Sequence, residues 1–491
     1  MWCVEQFTKG VDMVDSGETT NKPIWQWNAC TLAAAIRNRK ISCVEATTAV
    51  VERVRATNGA INAIVDDLSA DAMRQAEAHD KSLASGHRVG PLHGVPVTIK
   101  VNVDQQGRTT TNGVVAFKDV IAPDDAPIVR NLQDAGAIVI GRTNTPEFSF
   151  RATTDNELYG RTMSPWNDIA SAGGSSGGAA AAALMGYGPI HHGNDIGGSL
   201  RFPANACGAA TVKPGFGRVP AYNPSQTAER GLMAQLMSVQ GVICREVRDV
   251  RLAMQSIIAP DPRDPWHVPV PFDGQPLAPA QTKVAFTKNA FEFELHPAVS
   301  AALDTARDAL SDAGYEVVEI EPPLLREAAE VGYRCLFGEM KLLMDADIRR
   351  LGSDTLNRIF DQYYDHFPPF EGEELLKAMA DRTRFARAWS LFLDEYPLVL
   401  TLFLFDPTFD HDADVPGGST KFESVLGSAF YSFAFNYMGL PAGLVPASYN
   451  DGLPIGVQIV GRRFREDLIL DALEAVETRV GVMAERLWAR E

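Results

Sequence analysis

The chain has 491 residues, 45 Lys+Arg against 62 Asp+Glu, a net charge of -17 and 45% hydrophobic residues. Those proportions are globular averages and exclude disorder, collagen and coiled coil. The acidic balance argues against free DNA or RNA as a partner, because duplex binding draws on clustered Lys and Arg.

The longest apolar run, Tyr396 to Phe405, is ten residues, about half of a membrane span. Met1-Trp2-Cys3-Val4-Glu5-Gln6 has neither the basic nor the apolar region of a signal peptide. Six cysteines are scattered with no CxxC or CxxH. This reads as a cytoplasmic protein with reduced thiols and no structural zinc.

In chain order, Cys30 to Ile36 and Val44 to Val54 repeat apolar residues at helical spacing, with Thr31 and Ser42 as candidate N-caps. Val95 to Ile99 is a short β-branched run between Gly and Pro, a buried strand that ends on Lys100. A helix over Pro127 to Ala135 stops at Gly136 and leads into a second buried strand, 137–141. The alternation continues with strand Lys283 to Phe286, helix Pro297 to Ala313 and strand Tyr315 to Glu319. That pattern predicts an α/β fold: one large domain with a mixed, mostly parallel twisted sheet covered by helices on both faces.

Pro260 to Pro265 and Asp410 to Gly418 read as polar surface loops, not interdomain linkers. Thirteen aromatics fall between Phe385 and Tyr437. They suit either a helical core or an aromatic-lined pocket.

The densest signal lies between residues 171 and 208. Ser171-Ala172-Gly173-Gly174-Ser175-Ser176-Gly177-Gly178 and Gly193-Asn194-Asp195-Ile196-Gly197-Gly198-Ser199-Leu200-Arg201 flank an alanine-rich helix. Glycine at this density gives positive φ and close backbone approach at an entropic cost. A phosphate cradle is one reading, but neither the P-loop nor the dinucleotide pattern occurs. Gly173 to Gly177 fits the nucleophile-elbow pattern, yet no downstream His stands in a setting that marks a triad. His191 and His192 suit a metal or a base, but no further ligand stands at suitable spacing, which favours a structural role. A third reading pairs a serine with Lys100. Moving a lysine from about 10.4 to about 7 or 8 requires desolvation, and the run before Lys100 suits a dry site.

These residues resemble the amidase signature family of serine hydrolases. The likeness rests on the two Gly-Ser segments, on Ser175 and Ser199 lying 24 residues apart, and on Lys100 lying 75 residues before Ser175. Further blocks at 141–148, 156–166 and 451–461 extend it over about residues 30 to 477. The resemblance implies amide hydrolysis with Ser199 as nucleophile, Ser175 as bridge on a cis Gly174–Ser175 peptide, and Lys100 as base. It implies an oxyanion hole from the backbone N–H groups of Ile196, Gly197, Gly198 and Ser199, with Ser176, Asp195 and Arg201 in support. It also implies structural packing for Cys207 and no metal or cofactor.

Asn194 stands where Thr or Ser is frequent in that family. The aromatic segment favours a small apolar or aryl amide, with Phe148 and Phe150 as candidate pocket walls. The expected layout is an N-terminal extension over 1–29 and an amidase domain over 30–491. Within it lie a core at about 90–260, a variable pocket region at about 325–440 and a return to the core at 441–491. A homodimer is a further expectation from the family. The alternative function is the catalytic subunit of a glutamine-dependent tRNA amidotransferase complex.

Overall fold

A computed structural model of the chain describes residues 22–417, 425 and 429–490. Eleven strands form one sheet: β1 (Ile64–Asp67), β2 (Pro96–Lys100), β3 (Ile138–Thr143), β4 (Ile190–Asp195), β5 (Ala210–Lys213), β6 (Val239–Cys244), β7 (Lys283–Phe286), β8 (Glu316–Glu319), β9 (Leu398–Leu402), β10 (Ala442–Asn450) and β11 (Leu453–Gly461). Their spatial order is β1-β3-β2-β4-β6-β5-β10-β11-β9-β7-β8.

The fold is α/β with a mixed sheet, as expected. Parallel pairing is narrower than the strand–helix alternation suggests: it is confined to β3-β2-β4 and β9-β7-β8. The six other neighbour pairs are antiparallel. The turn Asp451-Gly452 shows why at one place, since a two-residue connection joins β10 to β11 and permits only antiparallel return.

Helices cover both faces. Gly443 of β10 lies against Leu473 of helix Glu466–Val480. The next residue, Leu444, shares the opposite face with Gly456, whose amide donates to Asn205 of helix Arg201–Cys207. One continuous apolar core runs through the molecule. No helix among the described residues is long and apolar enough to cross a membrane.

Several elements stand as expected: helix Pro127–Asp134 and helix Pro297–Asp312 differ from their sequence readings by one residue at the C-terminus. Ser42 caps helix Cys43–Ile61 in a capping box with Glu45. Thr31 is not a cap: the helix begins earlier, at Ala29, and Asn28 accepts the amide of Thr31. The loop at 410–417 is more than polar surface, because Asp414 is fully buried and paired with Arg151 at 3.0 Å. Gly418 lies outside the described residues.

For the site, the essential element is β2. Its five residues are all buried, so the strand carries Lys100 into the interior at its C-terminal end.

Candidate active site

Three parallel neighbours and two glycine-rich turns build the site. β2 ends at Lys100, and β4 beside it ends at Asn194 and Asp195. The loop before the buried helix Gly177–Met185 brings Ser175 and Ser176 over them. The Gly174–Ser175 peptide is cis. Gly174 is required there, since a Cβ would lie 2.3 Å from the carbonyl oxygen of Arg151.

Lys100 is 0% exposed. Its Nζ lies 2.7 Å from Ser175 Oγ, 3.1 Å from Ser176 Oγ and 2.9 Å from Asn194 Oδ1. Burial, only partly offset by the charge of Asp195, pulls its pKa well below the ordinary lysine value. The amine is thus surrounded by two hydroxyls and a carboxamide, with no carboxylate among the described residues bonded to it.

His191 and His192 hold the strand that supports this amine. His192 accepts the Lys100 amide at Nδ1 (3.3 Å) and donates from Nε2 to Gln240 (2.9 Å). His191 donates from Nε2 to the Gly188 carbonyl and meets Thr98 Oγ1 at Nδ1. Burial lowers their pKa values, to about 4 for His192 and about 3 for His191, so both rings are neutral. They bind strand to strand.

The Ser199 turn is shaped from below. Asp195 accepts the amides of Gly198 (2.8 Å) and Leu200 (3.2 Å) and pairs with Arg201 through two bonds of 3.0 Å. Both side chains are 0% exposed. Burial alone would raise the Asp195 pKa, but Arg201, with smaller help from Lys213 and Asn436, holds it below the usual carboxylate value. Arg201 reaches on to Gln458 and Asn436. The pair is therefore an internal brace for the turn.

One of the four amides expected to serve the oxyanion already has a partner: the Gly198 N–H donates to Asp195 at 2.8 Å. The amides of Ile196, Gly197 and Ser199 donate to no described residue. Their orientation has a cause: Asn436 donates to the Asp195 carbonyl, so the Ile196 N–H of that trans peptide points the other way. Ser432 donates to the Gly197 carbonyl at 2.6 Å, which turns the Gly198 N–H back toward Asp195.

Ser199 is half-buried, and its hydroxyl makes no hydrogen bond among the described residues. Lys100, Ser175 and Ser176 are joined by hydrogen bonds, and among the described residues none of these bonds extends to the Ser199 hydroxyl. Cys207 is buried, its thiol directed at the Ala172 carbonyl and its pKa raised by burial, the opposite of what a nucleophile needs.

Phe148 and Phe150 pack edge-on against Phe117 and Phe360. Sequence reasoning missed Phe433, whose ring would lie 2.3 Å from a Cβ on Gly197 and stacks on Tyr333 at 3.5 Å. On helix Phe430–Met438 most aromatics are core, and Phe433 is half-buried. Helical spacing was the available signal: Ser432, Phe433 and Asn436 share the face that meets the Ser199 turn.

Among the described residues, Cys43, His79 and His93 set ligand-type atoms within 4.8 Å of one another, away from this site. The two imidazoles stack at 4.7 Å with planes 13° apart. Lone pairs lie in ring planes, so these do not converge on a common point.

Residues 45–470 match the family model Amidase. The chain belongs to the amidase family. It is 47% identical over 466 residues to an indoleacetamide hydrolase of Bradyrhizobium diazoefficiens, covering 95% of this chain and 89% of the relative. It is 30% identical to a glutamyl-tRNA(Gln) amidotransferase subunit of Moorella thermoacetica, covering 91% of this chain and 95% of the relative. Among solved structures, a bacterial aryl acylamidase of the amidase signature family aligns with a TM-score of 0.82 at 26% identity, over 96% of this chain and all of that one. The amidase is an enzyme that hydrolyses an amide to an acid and an amine or ammonia.

Proposed function

We propose that the chain cleaves a small arylacetamide-type amide through a Ser199 acyl-enzyme. The observation that carries this is a buried lysine amine 2.7 Å from a serine hydroxyl, on the loop facing a turn with three unengaged amides. Ser199 Oγ attacks the amide carbonyl while its proton passes to Ser175 Oγ, and the Ser175 proton passes to the Lys100 lone pair. The amides of Ile196, Gly197 and Ser199 stabilise the oxyanion, each donor contributing about 3 kcal/mol. Collapse of the intermediate breaks the C–N bond, and Lys100 returns the proton through Ser175 to the departing nitrogen. Water then repeats the sequence on the ester, releasing the acid.

The aryl preference is supported by Phe433 beside the Ser199 turn and by the relation to an indoleacetamide hydrolase. Phe148 and Phe150 form the outer wall of the pocket in this reading. The higher identity to that hydrolase than to the amidotransferase subunit favours free-standing hydrolysis over work on charged tRNA. Five described cysteines with no disulfide support a cytoplasmic location. The domain spans 30–491, and we assign it a homodimeric state on the family resemblance.

Turnover by the purified chain alone tests this reading. An indole-3-acetamide and an aliphatic amide of similar size are compared, with mass detection of the acid. Faster release of the aryl acid supports the proposal. Exclusive turnover of glutamine, or none without a partner chain, overturns it.

A further inference from the structure

One partner of Lys100, Asn194, has no part in the proton relay of Ser199, Ser175 and Lys100. Asn194 Oδ1 accepts from Nζ at 2.9 Å, and its carboxamide pairs face to face with that of Asn102. Asn194 Nδ2 donates to Asn102 Oδ1 at 3.1 Å, and Asn102 Nδ2 is shared between Asn194 Oδ1 (3.3 Å) and Ser149 Oγ (3.0 Å). Ser149 in turn donates to Asn112 Oδ1 at 2.7 Å.

The clamp is anchored in unusual backbone. Phe148 and Ser149 have φ of 53° and 61°. Two successive non-glycine residues in the left-handed region persist only where their surroundings over-determine them. Here the Ser149 hydroxyl is fixed by Asn102, Asn112 and Thr145 together.

A neutral amine has two N–H donors and one lone pair. With Asn194 Nδ2 committed to Asn102, its Oδ1 presents only lone pairs to Lys100. The Ser176 hydroxyl points its proton at the Asn194 backbone carbonyl at 3.5 Å, so it too faces Lys100 as an acceptor. Two acceptors claim the two N–H groups. The remaining lone pair is directed at Ser175.

We infer that Asn194, clamped by Asn102 and Ser149, is a positioning residue that aims the Lys100 lone pair at Ser175 and tunes its basicity. A carbonyl oxygen binds an ammonium more strongly than an amine, so the carboxamide counteracts part of what burial does to the lysine. A carboxylate at the same place would do far more. The inference rests on the catalytic reading proposed above.

The test is the pH profile of kcat/KM for Asn194→Asp, Asn194→Ser and Asn102→Ala, beside Lys100→Met. In Asn194→Asp the acid limb is expected to move up by about one unit or more, because an opposite charge in contact favours the ammonium. In Asn194→Ser, which keeps an acceptor too short to reach Asn102, kcat is expected to fall about tenfold with KM little changed. In Asn102→Ala, kcat should fall with KM little changed, by less than in Asn194→Ser. If Lys100→Met kills turnover while the limb of a folded Asn194→Asp stays in place, this inference falls and the catalytic reading stands. If Asn194→Asp does not fold, unchanged kcat in both other variants overturns the inference. If Lys100→Met keeps full activity, the catalytic reading itself has failed.

Discussion

Two lysines close two strands of the same sheet, Lys100 at the end of β2 and Lys213 at the end of β5, and both are 0% exposed. Burial depresses both, Lys213 to about 7 with further help from the neighbouring Arg201. Their partners differ. Lys100 is 2.7 Å from a serine hydroxyl, whereas among the described residues the amine of Lys213 bonds only to the Pro214 carbonyl, at 3.0 Å. A carbonyl has no proton to give. Desolvation favours the neutral form of an amine, but only a hydroxyl beside it gives that form a proton to take.

The largest effect that sharpens this contrast belongs to Ser199. Ser199→Ala should lower kcat by about 10⁴- to 10⁶-fold, measured as acid release. Next comes Lys100→Met, with a loss of about 10²- to 10⁴-fold from the missing base. The sign of the pH effect follows from the depressed pKa of Lys100. The amine is active when neutral, so kcat/KM should rise with pH through that lowered value and fall as acid protonates it. Ser432→Ala, which frees the Gly197 carbonyl, should cost about tenfold in kcat with little change in KM. The smallest effect is expected for Lys213→Met, which should keep the acid limb in place and kcat within about tenfold. A shifted limb in that variant would break the distinction between the two lysines.

Much of the site is local in sequence and was legible there. A β-branched run ending in Lys100 pointed to a buried strand, and two glycine-serine segments marked the turns. What escaped is what the chain brings from far away. Ser432 and Asn436 reach the Ser199 turn across 235 and 241 residues, and no local pattern encodes which peptide plane they rotate. The Gly198 amide is therefore indistinguishable from its neighbours in sequence, and only the fold shows that Asp195 holds it. His191 and His192 were ambiguous for the same reason, since their partners Thr98 and Gln240 come from other strands. The aromatic segment contained both proposed roles, and only packing separates Phe433 beside Gly197 from the fully buried Phe435.

The proposed role of Lys100 as the base is tested most directly through the proposed nucleophile, Ser199. The rate at which a fluorophosphonate modifies the enzyme can be followed by intact mass, with the adduct located by peptide mapping. The account predicts one adduct, on Ser199, forming faster as pH rises and at least about 100-fold more slowly in Lys100→Met. Labelling of Ser199 at an equal rate in Lys100→Met, or an adduct on another residue, would contradict it.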